Sequence, residues 1–324
     1  MGCRVEPAFY LPLGPIYIAR PGAEDIPLGP PSGPHDRKGG SMSRLLVLTL
    51  ALSCAATWAQ ADSGALKRIK DSGTITLGYR DNAAPFSFRG TDGKPAGYSV
   101  DLCSRIANAI KGELKLKSLK VNWVPVTAQT RLKAVADGKV DMECSMTTVT
   151  LARQKQVDFS SLIFVDGGNA LMREDTKLRR AVDLAGKKVA VQGGTTTEQL
   201  LRQALKAQRV DAEVVVVKTP AEGLARLQDG SVAAFAGDRI ALALLARNAR
   251  DPDKLQMLEQ DYSYEPYAIV LPRGDSDLRL AVNRELARLF RSGDISEVMN
   301  MWFGAIGTPS VLLTAMVYLN SIPE

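Results

Sequence analysis

Histidine is almost missing from this chain of 324 residues: the single one, His35, lies in a Pro- and Gly-rich front end. The body that follows has none, which excludes Ser-His and Cys-His nucleophile systems and histidine metal sites there. Cysteine is scarce too, and its four positions are too scattered for a zinc site. Aromatic residues make up only 6%, and the formal charge of +6 is spread along the chain rather than gathered into basic blocks. Neither feature suits stacking on bases or tracking a phosphate backbone, so no nucleic-acid partner is expected. No apolar run reaches the ~20 residues that a membrane-spanning helix needs. What is present is an ordinary globular composition, 45% hydrophobic and 23% charged, which decides against disorder. A basic chain of this kind suits anionic small molecules or an acidic partner surface.

The front end reads in two parts. Residues 1–41 show no usable periodicity and read as a disordered leader or as translation assigned from too early a start. Met42 then opens a segment with Arg44, an apolar run over 45–56 and Ala59-Gln60-Ala61. Those are the positive region, apolar region and small-residue cleavage site of a signal peptide over 42–61, which predicts export and a soluble periplasmic product. A lipid-modified Cys54 fits poorly after Ala51-Leu52-Ser53. Cleavage leaves about 260 residues, enough for one large domain or two medium lobes. Only Cys103 and Cys144 survive it. They could pair in an oxidising compartment or stand as two buried thiols, and spacing alone leaves both open.

The body alternates strand and helix patterns, the signature of an α/β fold. Strands are expected at 74–79, 120–125 and 139–144, with helices from a Ser99 cap and over 129–136. After Phe164-Val165-Asp166-Gly167-Gly168 the pattern restarts, with strands at 170–172, 188–191, 214–217 and 232–236. Helices follow Gly193-Gly194, where Thr195 or Thr196 is the cap, and cover 221–228 and 239–246. A last strand at 267–271 and helices over 277–291 and 294–302 have no partners of their own and most simply return to the first lobe. The expected organisation is lobe 1 over 62–166 plus 264–304, lobe 2 over 167–263 and a tail over 305–324. Two crossings between lobes would make a hinge around a cleft.

One segment is built for an anion. Asp141-Met142-Glu143-Cys144-Ser145-Met146-Thr147-Thr148 runs into a hydroxyl-rich turn, and Arg153 follows. Hydroxyls and free N–H groups beside a guanidinium suit a small carboxylate, because the fork of donors grips both oxygens. The Gly193-Gly194-Thr195-Thr196 turn at a helix start favours an anion independently. It lacks the Gly-Lys-Ser/Thr ending of a P-loop.

These runs, with Gly78-Tyr79-Arg80-Asp81, Gly97-Tyr98-Ser99-Val100-Asp101-Leu102 and Phe235-Ala236-Gly237-Asp238, resemble the periplasmic amino-acid-binding proteins of ABC importers, and among them the glutamate/aspartate-binding branch. The resemblance covers 62–303 in order. It implies a type II periplasmic-binding-protein fold whose two lobes close over one amino acid, which a membrane permease then receives. It makes Arg153 the clamp on the ligand's α-carboxylate, assisted by Thr148, the Met146 backbone, Thr195 and Thr196. Asp238 would take the α-ammonium, while Arg80 and Arg131 would hold a side-chain carboxylate. Two guanidiniums in one cleft also need a compensating anion. No cofactor, metal or catalytic residue is implied, and a monomer is expected. The sequence departs from the branch at Ala128 and Met146, where serine is usual, and at Pro220, where histidine is usual. Glutamine or another dicarboxylate is an alternative ligand. Exported dehydratases of the cyclohexadienyl or arogenate type share the fold, and in that reading Asp238 would be the general acid.

Overall fold

The computed structural model of the protein describes residues 64–304, 306–307 and 309–324. The expected leader and signal peptide lie outside the described residues. The chain begins with α1 (Ala65–Ser72), β1 (Thr74–Arg80) and a small sheet of β2 (Asn82–Ala83), β3 (Ser87–Arg89) and β4 (Pro95–Ala96). Next come α2 (Tyr98–Glu113), β5 (Lys120–Val126), α3 (Arg131–Ala136) and β6 (Met142–Glu143). The long β7 (Asp158–Arg173) leads into β8 (Lys188–Gln192), α4 (Thr196–Ala207), β9 (Glu213–Val217), α5 (Pro220–Gln228), β10 (Ala234–Asp238) and α6 (Arg239–Arg247). Then β11 (Leu255–Met257) and β12 (Ser263–Leu271) precede α7 (Ser276–Ser292), α8 (Asp294–Phe303) and α9 (Val311–Leu319).

Among the described residues nine strands form one sheet, in the order β5-β1-β6-β12-β7-β10-β8-β9 with β11 paired to β7. At one end β1 runs parallel to β5 and β6, and at the other β8 runs parallel to β9 and β10. Between them β7 and β12 are antiparallel. The apolar side chains gather accordingly. Ile75, Leu77, Ile106, Ile163, Leu286 and Phe303 belong to the largest cluster, at the β1 end, and Val189, Val191, Leu201 and Ala236 to a separate one at the β8 end.

Local departures from the expected elements have identifiable causes. Ser99 is not the cap of α2, which starts at Tyr98 after Gly97. Gly97 has φ +123°, and a Cβ there would lie 2.4 Å from the Phe86 carbonyl oxygen, so only glycine fits. Ser99 is freed to donate to the Ser145 carbonyl at 2.8 Å. The expected strand over 139–144 shrinks to β6 because the Lys139 and Val140 amides bond back to the Ala134 carbonyl and close α3. The start of α3 moves to Arg131 because Thr127 and Thr130 exchange side-chain bonds in the turn before it. Conversely β7 is far longer than the expected 170–172. Its Asp166-Gly167-Gly168-Asn169 run reads as linker by composition, yet it pairs with β12 and β10. In the tail, α9 buries Leu313 and Met316.

Cys103 of α2 and Cys144 just after β6 are joined as a disulfide. It ties the helix to the chain that carries Glu143 and Ser145. No described helix is long and apolar enough to cross a membrane.

Candidate functional site

Strand ends deliver the site. Parallel strands place their C-terminal ends on one edge, where α/β proteins bind ligands. Here β1 ends on Arg80, β6 on Glu143, β8 on Gln192 and β10 on Asp238. A cavity of about 400 Å³ opens beside Arg80, Gln192 and Asp238, and its mixed polar and apolar lining includes Met146, Thr195 and Thr197. Of the expected site residues, Arg131, Thr148, Arg153 and Thr196 are not in that lining.

Arg80 and Arg131 are almost fully buried, and the Nε atoms of both lack a hydrogen-bond partner. Arg80 Nη2 donates to Gln192 Oε1 at 3.1 Å and Asn82 Oδ1 at 3.3 Å. Arg131 folds back so that Nη1 donates to the Ala128 carbonyl at 2.8 Å. Burial, then the neighbouring Arg131 charge, pushes Arg80 down to about 10. Burial likewise lowers Arg131, and Arg153 is pushed down to about 10 by burial and then by Arg131. All three stay cationic at neutral pH. Mutual repulsion therefore links the three guanidiniums into one electrostatic unit.

The segment from Cys144 to Arg153 is pinned at several points. Thr148 bridges to Tyr267, the Val149 amide donates to the Pro266 carbonyl, and the Ala268 amide to the Thr147 carbonyl. Arg153 Nη1 donates to the Thr148 carbonyl at 2.7 Å. Guanidinium and hydroxyl are thus held on one short turn.

Across from them Thr195 caps α4. Its Oγ1 accepts from the Glu198 amide and donates to the Gln192 carbonyl. That hydroxyl is occupied locally, so any ligand bond from Thr195 would come from its backbone. Thr196 Oγ1 lies 3.0 Å from Thr148 Oγ1. Gln129 Nε2 donates to the Gly193 carbonyl at 2.8 Å. Gly194 has φ +75°, and a Cβ on it would lie 2.9 Å from Gln129 Cγ, so glycine allows this close approach.

Asp238 accepts from Thr197 Oγ1 at 2.7 Å. Burial raises its carboxyl above the usual range, while the Thr197 and Tyr267 hydroxyls, Arg80 and Arg131 oppose the rise. An acceptor beside the cavity, backed by hydroxyls, can receive an ammonium group.

Two buried carboxylates escaped the sequence reading. Glu143 accepts from Thr147 Oγ1 at 2.8 Å and from the Ser145 hydroxyl, and its charge supports Arg80, Arg131 and Arg153. Glu265, with no exposed surface, accepts from Thr148 at 2.6 Å, Thr196 at 2.9 Å and Ser263 at 3.1 Å. Burial, then Asp238, pushes Glu265 up to about 7. The available signal was a lone carboxylate at the head of the otherwise apolar run Pro266-Tyr267-Ala268-Ile269-Val270-Leu271. The two carboxylates supply internal counter-charge, which weakens the expectation that the arginines need a ligand anion for neutrality. Among the described residues no group of three or more His, Cys, Asp or Glu side chains is placed to hold a metal ion.

Comparison with known proteins fits this geometry. Residues 75–305 match the model of the bacterial extracellular solute-binding proteins, family 3. An L-glutamate/L-aspartate-binding protein of Pseudomonas aeruginosa is 37% identical over 257 residues, covering 79% of this chain and 85% of that protein. A glutamate/aspartate import solute-binding protein of Escherichia coli strain K12 is 32% identical, covering 78% and 86%. Among solved structures, an ancestral amino acid-binding protein described as a precursor of cyclohexadienyl dehydratase matches with TM-score 0.65 and 28% identity, covering 74% of this chain and 100% of that one. The chain belongs to the bacterial extracellular solute-binding proteins of family 3, and its architecture is the two-lobed type II periplasmic-binding-protein fold.

Proposed function

We propose that this protein captures an acidic amino acid, L-glutamate or L-aspartate, in the periplasm and delivers it to the permease of an ABC importer. The observation that carries the reading is Arg80, a buried guanidinium that lines the cavity with Asp238 and whose Nε lacks a partner, backed by Arg131, which is also buried with an unpartnered Nε. A buried donor without an acceptor is costly, and a ligand carboxylate would remove that cost. Arg153 and Thr148 take the α-carboxylate, with backbone support from Met146, Thr195 and Thr196. Asp238 takes the ammonium, and Arg80 and Arg131 take the side-chain carboxylate. The glutamate/aspartate binders among the relatives support the same ligand class.

Closure is part of the proposal. The lobes, 62–166 with 264–304 and 167–263, hinge where β7 and β12 run side by side. Arg80 to Gln192, Gln129 to Gly193 and Thr148 beside Thr196 form the closing contacts. The closed form, acting as a monomer, is what the permease meets. Export by a signal peptide over 42–61 completes the reading.

A thermal-shift panel over the amino acids tests it, because a ligand held only by the native state at 100 times its Kd adds about 2.7 kcal/mol. L-glutamate or L-aspartate should give the largest shift; a shift from neutral or basic amino acids alone would overturn the assignment. A second reading rests on the raised Asp238 carboxyl, which in acid form could protonate a leaving group as in a dehydratase. Incubation with prephenate or arogenate should yield no aromatic product, and formation of one would favour that second reading.

A further inference from the structure

Glu265 sits where a binder of anions would be expected to avoid a negative charge. The hydrogen bonds it makes among the described residues come from three hydroxyls, of which Thr148 is proposed for the ligand's α-carboxylate and Thr196 belongs to a residue whose backbone supports it. A threonine hydroxyl has one proton, and an ionised carboxylate can only accept. With Glu265 ionised, both threonine protons point at Oε2. The 3.0 Å gap between Thr148 Oγ1 and Thr196 Oγ1 then has no proton to fill it, and Thr148 can show only lone pairs to an incoming carboxylate.

A protonated Glu265 reverses the order. Its O–H donates to Thr148 across the shortest of these contacts, 2.6 Å, Thr196 keeps donating to the carboxyl group, and Thr148 is free to donate to the ligand. The charge count points the same way. Arg80, Arg131 and Arg153 stand against Glu143, Asp238 and Glu265, three against three. An acidic amino acid brings one more net negative charge, which a proton on Glu265 cancels.

The surroundings place that proton on Glu265. Asp166 of β7, directly opposite it in the strand register, supplies no cation to it, and the charge of Asp238 on β10 repels its ionised form. The cations near it are Arg153 and, beside Tyr267, Arg131. Tyr262 and Tyr267 are buried and held neutral. Glu198, in the first turn of α4, is tied to Arg202. Asp238, by contrast, has Arg80 and Arg131 lowering it.

We infer that Glu265 is a positioning residue that takes up a proton when an acidic amino acid binds, and that its acid form heads a donor chain through Thr148 to the ligand's α-carboxylate. The inference rests on the acidic-ligand reading above. The proton comes from solvent, and no covalent step is involved.

Calorimetry of the purified protein with L-glutamate, in two buffers of different ionisation enthalpy at pH 8, counts the protons directly. Close to one proton should be taken up per ligand, and affinity should fall by roughly tenfold per pH unit between pH 7.5 and 9. Glu265→Gln keeps a permanent N–H donor, so its affinity should be flat over that range and its heat independent of buffer. Buffer-independent heat in the unsubstituted protein, or an unchanged pH slope in Glu265→Gln, would overturn the inference while leaving glutamate binding intact. No heat from any acidic amino acid would instead overturn the ligand assignment, and this inference with it. The proton count on the unsubstituted protein stands whether or not the variant folds.

Discussion

The two sides of the cleft are built differently. The side formed by β1, α3 and the turn after β6 carries all three guanidiniums and Glu143. Behind it lie the packed rings of Phe86, Tyr98, Phe164, Tyr267 and Phe303, with Phe86 edge-to-face on Tyr98, Phe164 and Tyr267, and the Cys103–Cys144 bond. The side formed by β8, α4 and β10 offers a Gly-Gly turn, hydroxyls, Gln192 and Asp238, over a core of small and branched aliphatic residues. Strong charges need rigid support, because a guanidinium that strays by an ångström loses its bidentate fit. Neutral donors on a glycine turn can adjust as the cleft closes. In the proposed reading the first side supplies the grips on the carboxylates, while the second supplies Asp238 for the ammonium and the latching contacts.

Substitutions can break that division. The largest expected effect is on the first side: Arg153→Ala should weaken every amino-acid ligand by about 2–5 kcal/mol, since a buried carboxylate loses its charged partner. Titration calorimetry across several ligands checks this, and unchanged affinities would mean that the turn after β6 has been misread. Next, replacing Cys103 and Cys144 with serine should cost about 2–4 kcal/mol of stability in denaturant unfolding, because the bond closes a loop with a sequence separation of 41. Binding should weaken alongside, as Glu143 and Ser145 flank Cys144.

Proton linkage gives a smaller effect centred on the strands shared by both sides. Burial, then Asp238, pushes Asp166 up to about 8, and Glu265 is pushed up to about 7. Both native values exceed those of the unfolded chain, so the native state holds more protons between the two. The contribution of these two groups to stability without ligand should therefore be largest below about pH 4 and fall as pH rises through 5 to 8, at most about 1.4 kcal/mol per group for each pH unit between its unfolded and native values. Asp166→Asn, which keeps an acceptor for one of the Gly167 and Ile240 amides because the two donate to different oxygens, should flatten the upper part of that fall. The smallest effect belongs to the latch: Gln129→Ala removes the bond to the Gly193 carbonyl and should weaken binding by about 0.5–1.5 kcal/mol, equally for all ligands.

Much of this arrangement was legible in the sequence because it follows local rules. The β1 alternation placed Arg80 at a strand end, and Thr195 followed by Glu198 three residues on marked the start of α4. What escaped notice depends on long-range pairing. Nothing local distinguishes the 166–169 run from a linker; β12 and β10, both far away in sequence, make it a strand. Glu143 and Glu265 were passed over for the same reason, since their worth lies in hydroxyls and guanidiniums supplied by other segments. The Cys103–Cys144 pairing likewise follows from α2 packing beside β6, a juxtaposition that spacing does not encode.

The division of labour stands on Arg80 and Arg131 recognising a second carboxylate. Calorimetric titration of the purified protein and its Arg131→Ala variant with L-glutamate and L-glutamine tests this most directly. The account predicts 1:1 binding of glutamate, roughly tenfold or more tighter than glutamine, with most of that preference lost in the variant. Glutamine binding as tightly as glutamate, or equal losses for both ligands in the variant, would contradict it.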